Sequence, residues 1–202
     1  VFPAHMNKIL TLDSNKGLVT IQPGLNYGRL QQTLQTHGMF LPPFPASIEY
    51  STIGGAIANN AAGEKTVKYG VTKDYVRELR VVLANGEVLV AGRYSKRDVN
   101  KKMGLPTFEG EIYRTIDTLL TENKDLLERT KRENLSKNVA GYDLWSIRDK
   151  DGSVDLTQLF VGSQGTLGII TEAKVETESF NPSTTLLVAH FDDIEKVGQA
   201  VE

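Results

Sequence analysis

The stretch Pro43-Phe-Pro-Ala-Ser-Ile-Glu-Tyr-Ser-Thr-Ile-Gly-Gly-Ala-Ile-Ala-Asn-Asn-Ala-Ala-Gly63 decides how the rest of the chain is read. It opens on prolines, closes on glycine, and carries no charge from Thr52 to Gly63. Small side chains leave main-chain N–H groups uncovered, and Ser47, Ser51, Thr52, Asn59 and Asn60 add short hydrogen-bonding groups. Such a segment admits something close to its backbone. Residues 52–62 read as a helix, although Gly54 and Gly55 each cost about 1 kcal/mol in a helix interior. In the first turn those glycines let a ligand or another backbone meet the helix's free N–H groups.

A second glycine-rich stretch, Gly162-Ser-Gln-Gly-Thr-Leu-Gly168, lies about a hundred residues downstream. It follows a short helix over 156–161 and leads into a strand over 169–176. Upstream, residues 7–13 and 18–23 alternate as a hairpin around Asp13-Ser-Asn-Lys-Gly17. Asn26 is placed to cap a helix through His37 that ends on Gly38, with Tyr27, Leu30 and Leu34 on one face. His37 reads as a last-turn residue facing the helix dipole rather than a ligand. Residues 75–83 and 88–91 form a hairpin around Asn85-Gly86, expected as a type I′ turn. The basic segment 92–106 reads as a solvated loop, 110–132 as a long helix, and 138–145 as a compact loop bearing two large aromatics. After a boundary at 179–183, a strand over 186–191 and a helix capped by Asp192 or Asp193 are expected. Hairpins alternating with helices, without a regular βαβ series, give an α+β fold.

Composition narrows the chemistry. The chain has 202 residues, 40% hydrophobic and 24% charged, with a net charge of −2, which gives no electrostatic case for nucleic acid. There is no Cys, which removes disulfides, thiolate catalysis and iron–sulfur clusters, and His5, His37 and His190 lie far apart. No metal site and no catalytic constellation emerges. Glu49 and Glu64 could act as bases, but charged surface residues are the commoner case. No uninterrupted apolar run suits a membrane span, so a soluble cytoplasmic protein is expected. The start at Val1 rather than Met, and an end at Glu202 inside a helical pattern, suggest a piece of something larger.

Neither standard phosphate cradle is present. Gly162-Ser-Gln-Gly-Thr-Leu-Gly168 has the wrong spacing for a Rossmann fingerprint and precedes a strand, and Gly63-Glu-Lys-Thr66 lacks the lysine placement of a P-loop. If this is an enzyme, the hard chemistry belongs to a cofactor.

The residues from Pro45 to Gly63, followed by Tyr69-Gly-Val-Thr-Lys-Asp-Tyr-Val76, resemble the FAD-binding domain (PCMH type) of the vanillyl-alcohol-oxidase flavoproteins. That family includes glycolate oxidase, D-lactate dehydrogenase and D-2-hydroxyglutarate dehydrogenase. Leu159-Phe-Val-Gly-Ser-Gln-Gly-Thr-Leu-Gly-Ile-Ile-Thr-Glu172 resembles the domain's second signature, and Val19-Thr-Ile-Gln-Pro-Gly-Leu25 agrees with the strand and turn before its first helix. The resemblance implies an α+β FAD-binding domain over 1–178 and the truncated start of a substrate (cap) domain over 179–202. It implies FAD contacts from Pro45, Ala46, Ser47, Ile48, Ser51, Thr52, Gly54, Gly55, Asn59, Asn60, Ala62 and Gly63. Gln164, Gly165, Gly168, Ile169 and Ile170 would meet the adenosine end, and family members usually carry Glu at the position of Gln164. The family's pyrophosphate loop would precede Val1, and its substrate arginine and metal histidines would follow in the cap. The implied activity is that of a D-2-hydroxy-acid dehydrogenase acting on a small 2-hydroxy acid, inactive as this piece alone. The alternatives are another member of the family or a non-enzymatic α+β binding domain.

Overall fold

The computed structural model describes residues 2–131, Leu135 and residues 137–201. In chain order the elements are α1 (Phe2–His5), β1 (Ile9–Asp13), β2 (Leu18–Ile21), α2 (Tyr27–Thr36), β3 (Met39–Phe40), α3 (Ile53–Ala58) and α4 (Thr66–Tyr69). There follow β4 (Val76–Val82), β5 (Val88–Tyr94), α5 (Lys96–Met103), α6 (Phe108–Glu122), α7 (Lys124–Thr130), β6 (Val154–Asp155), α8 (Thr157–Phe160), β7 (Ile169–Glu176), β8 (Glu178–Ser179) and α9 (Ile194–Val201). Among the described residues no helix is long and apolar enough to cross a membrane.

Six strands form one sheet in the order β1-β2-β7-β4-β5-β6, and every neighbouring pair is antiparallel. The expected α+β architecture is the one observed. Its core is a set of cross-strand rows. Ile21 pairs with Ala173, Ala173 with Leu79, and Leu79 with Ala91, so four strands send these side chains to one face. All four residues are at most 1% exposed. A bulge between Val76 and Glu78 adds a residue, which lets both Val76 and Leu79 face inward despite their odd spacing. Leu30 and Leu34 of α2 and Ile53 and Ile57 of α3 join the same core. Each such buried side chain contributes about 1.5–3 kcal/mol.

Local signals place the first helix well. The Asn26 side chain accepts from the Arg29 N–H at 3.0 Å, and Gly38 just past the end takes φ 70°. The His37 ring lies 2.9 Å from the Thr33 carbonyl, a local contact at the helix end.

Four expectations are corrected. The turn at Asn85-Gly86 is not type I′, because only Gly86 takes positive φ there, at 85°. The segment 92–106 is not a loop. β5 runs to Tyr94, Ser95 caps α5 by accepting from the Asp98 N–H at 3.2 Å, and Val99 turns into the core. The helix expected over 110–132 is two helices, parted at Asn123, whose side-chain amide donates to the Leu119 carbonyl at 2.9 Å. Its expected end at Arg132 lies outside the described residues. The strand expected over 186–191 does not form. Leu186 and Leu187 stay 86% and 88% exposed with no strand beside them, and an apolar run without a pairing edge has nothing to hold it extended. An unforeseen two-stranded ribbon joins β3 to β8 through Met39–Ser179 and Phe40–Glu178.

Candidate cofactor site

The chain after Pro45 turns tightly. The Tyr50 and Ser51 N–H groups both donate to the Ser47 carbonyl, at 2.9 and 3.0 Å. The turn's carbonyls then serve α2: the Tyr27 N–H donates to Ser51 at 2.9 Å, Gly28 to Ile48 at 3.2 Å, and the Asn26 side chain to Glu49 at 2.8 Å. So Ile48, Glu49 and Ser51 satisfy the free donors of a neighbouring helix. Ala46 and Ser47 are exposed on the turn, while Pro45, Ile48 and Ser51 are half-buried. Beneath α2's start the buried Tyr27 hydroxyl meets no partner among the described residues, and burial, then the nearby Tyr75, holds its proton well above the ordinary phenol range.

Helix α3 occupies the middle of the stretch and is shorter than the span 52–62. Of the two occupants expected at its first-turn N–H groups, a ligand or another backbone, the structure shows the second. Ile53 donates to the Leu25 carbonyl at 2.9 Å, Gly54 to Pro23 at 2.7 Å, and Gly55 to the Thr52 side chain at 3.3 Å. The loop between β2 and α2 has taken the place a phosphate would need. Gly54 is glycine for the same reason: a Cβ there would lie 2.6 Å from the Pro23 Cβ and 2.9 Å from its carbonyl oxygen. At Gly63 a Cβ would sit 1.9 Å from the Phe44 carbonyl oxygen. Both glycines let the chain pack on itself. Gly55 differs, since a Cβ there would meet only the Thr52 hydroxyl, at 3.4 Å, and the residue is exposed.

The second stretch is stitched to the end of α3. The Gly162 N–H donates to the Ile57 carbonyl at 3.0 Å, the Gln164 N–H to Ala58 at 2.9 Å, and the Gln164 side-chain amide to the Asn59 side-chain oxygen at 3.1 Å. Gly162 and Gly165 take φ of 86° and 76°, which suits glycine, and Gln164 between them takes 56°. At Gly168 a Cβ would meet the Val81 side chain at 2.6 Å, so glycine lets β7 begin flat against β4. Asn60 is turned inward: it is 4% exposed and its side-chain oxygen accepts from the Lys73 N–H at 3.0 Å. Ala62 is half-buried beside it.

The two stretches meet around a cavity of about 220 Å³. Thr52, Gly54 and Gly55 line one wall and Gly165, Gly168, Ile169 and Ile170 the other, with Phe2, Pro23 and Ala58 closing it. No charged side chain lines it, and it is smaller than the roughly 300–1,000 Å³ of a whole ligand pocket. It fits a flat, apolar ring belonging to a larger ligand. It does not fit a pyrophosphate, because no cation lines it and the α3 N–H groups are already used. Of the residues expected at the cofactor, the ten from 45–48, 51, 59–60, 62–63 and 164 lie outside this cavity's lining.

Sequence reading did not single out Tyr142 or Thr166. The Thr166 hydroxyl donates to the Ser163 carbonyl at 2.6 Å, so the Tyr142 hydroxyl, 2.8 Å away, is the donor to Thr166. This braces the loop 138–145 against the second glycine stretch. A contact across 24 residues leaves no local signature.

Residues 2–92 match the family model described as an FAD binding domain. The chain carries an FAD-binding domain. Glycolate oxidase subunit GlcD of Bacillus subtilis is 34% identical over 197 residues, which are 98% of this chain and 31% of that protein. D-2-hydroxyglutarate dehydrogenase of Pseudomonas putida is 33% identical over 171 residues, 85% of this chain and 17% of that one. D-lactate dehydrogenase of Anaerostipes hadrus is 30% identical, over 94% of this chain and 29% of the other. The chain thus spans about a third or less of these curated relatives. The solved structure of an alkyldihydroxyacetonephosphate synthase shares the fold of this FAD-binding domain, with a TM-score of 0.52 at 23% identity over 88% of this chain and 24% of that one.

Proposed function

We propose that this FAD-binding domain is the cofactor-holding part of a flavin-linked dehydrogenase of small D-2-hydroxy acids. The observation that carries the reading is the meeting of two glycine-rich stretches, so far apart in sequence, around one apolar cavity. The names of its relatives, acting on glycolate, D-lactate and D-2-hydroxyglutarate, supply the substrate class. When bound, the flavin would supply two-electron acceptance for oxidation of the substrate. This chain's residues bind and orient it. Thr52, Gly55, Gly165 and the Ile169–Ile170 backbone enclose a ring, and Asn59, Gln164 and the turn 45–51 flank it. The carboxylate partner and the base that removes the hydroxyl proton belong to a substrate domain that begins at about residue 179. Residues up to 178 are assigned to the cofactor domain, although the pairing of β8 with β3 runs one residue further, to Ser179. A cytoplasmic site of action and no nucleic-acid partner accord with the absence of Cys and the net charge of −2.

Titration with FAD tests the reading. Bound flavin gives absorption bands near about 375 and 450 nm. The purified chain should take up FAD, and one that stays colourless at saturating cofactor defeats the proposal. The loaded chain should not reduce a dye with D-lactate or D-2-hydroxyglutarate, because half of the substrate site lies elsewhere. Turnover by residues 1–202 alone would break that division of labour.

A further inference from the structure

A second and larger cavity lies beside the β3–β8 ribbon. Its volume is about 520 Å³, within the range of a whole small-molecule pocket, and it shares no lining residue with the apolar cavity between the glycine-rich stretches. One side is aromatic. Phe40 stands edge-on to Tyr69, with ring centroids 5.5 Å apart, and to Phe180, 6.1 Å apart, and Phe44 completes the wall.

Two lysines reach over these rings. Lys65 Nζ lies 5.8 Å from the centre of the Phe40 ring, and Lys68 Nζ lies 4.9 Å from that of Tyr69. The local sequence puts them there. Lys65 precedes the single turn of α4, and Lys68 and Tyr69 follow it at i+3 and i+4, so all three share one side. Val67 falls on the opposite side and is 94% exposed. Elsewhere in the chain half-buried lysines take carboxylates, as Lys73 does with Asp143 and Lys102 with Glu109. Among the described residues no carboxylate pairs with Lys65 or Lys68. Glu64 also lines the cavity, so its walls carry two positive charges and one negative. A cation resting over an exposed ring is held more weakly than one hydrogen-bonded to an anion, so both ammonium groups keep their donors for a ligand. The buried Gln31 is not such a donor, because its carboxamide is spent on the Leu41 N–H and carbonyl, both at 2.9 Å.

The geometry points to this cavity as a binding site for a small aromatic carboxylate, with its ring against the aromatic wall and its carboxylate on Lys65 and Lys68. Each half of that ligand answers one observation. A bare anion would leave the aromatic wall wet, and a neutral ring would leave the ammonium groups without a partner. A single negative charge matches the surplus on the walls, whereas a doubly charged phosphate would exceed it beside Glu64. Ser179 and Phe180 close the far side, so an occupant would also tie α4 to the segment that follows residue 178.

The test titrates the 202-residue chain with three probes, benzoate, benzamide and acetate, followed by protein-observed NMR. Benzoate should bind about tenfold or more tightly than benzamide, which lacks the charge, and than acetate, which lacks the ring. Its shifts should fall on residues 64–69 and 179–184. The double variant Lys65→Gln, Lys68→Gln should lower benzoate to the level of benzamide and leave benzamide and the melting temperature unchanged, which separates lost charge from a damaged fold. Equal affinity for benzoate and benzamide overturns the inference. So does wild-type benzoate affinity in the double variant, or displacement of benzoate by FAD, which would merge this cavity with the cofactor site. Failure of the chain to take up FAD would defeat the cofactor reading alone, since the benzoate titration needs no flavin.

Discussion

The two glycine-rich stretches look alike in sequence, yet they use glycine for opposite reasons. In residues 52–63, Gly54 and Gly63 have ordinary negative φ and are small because Pro23 and Phe44 press on them. In residues 162–168, Gly162 and Gly165 have positive φ, and at Gly165 a Cβ would meet nothing within 4 Å. The first stretch needs room at Gly54 and Gly63, and the second needs a backbone shape at Gly162 and Gly165. Only Gly55 of the first and Gly165 of the second leave an open surface, and both line the shared cavity. A glycine-rich segment therefore becomes a binding wall only at the positions where the fold has not already used the space.

The largest effect should come from Gly63→Ala. Its Cβ would fall 1.9 Å from the Phe44 carbonyl oxygen, and a main-chain atom cannot swing aside. A loss of about 3 kcal/mol is expected in denaturant unfolding. A loss below about 1 kcal/mol would show that the first stretch tolerates volume and would erase the contrast. Gly165→Ala should cost less, about 1–2 kcal/mol, all of it from backbone conformation. Gly165→Asn should recover part of that, since Asn tolerates the left-handed region. Gly63→Asn should recover nothing, and this crossed pattern in thermal melts is the sharpest form of the comparison. The smallest change in stability should come from Gly55→Ala, within about 0.5 kcal/mol of wild type or slightly stabilising, because alanine favours the helix. Its FAD affinity should fall nonetheless, since the added methyl enters the cavity. Unchanged FAD affinity in Gly55→Ala would remove α3 from the binding wall.

Much of the frame was legible beforehand. The Asp13–Gly17 turn, the Asn26 cap and the alternation in β2, β4 and β7 are local signals, set by neighbours a few residues away. Helix α5 was missed because Val99 is its one buried residue, too little for an apolar stripe to appear among its lysines. The cap at Ser95, three residues before Asp98, was the available signal. The break at Asn123 and the unpaired run 186–191 were misread because periodicity reports which face could be buried, and not whether anything covers it.

The sequence by itself determined the class of the molecule: antiparallel hairpins with capped helices, no thiol chemistry, and two segments whose small residues expose backbone. Only the tertiary structure decided which of those exposures survive. The α3 N–H groups are taken by carbonyls from residues 23 and 25, and Gly63 is filled by Phe44, while Gly55 and Gly165 stay open. Local spacing reports what a backbone can offer. Whether the offer is still standing depends on contacts between residues far apart in the chain, and those exist only once the chain has packed.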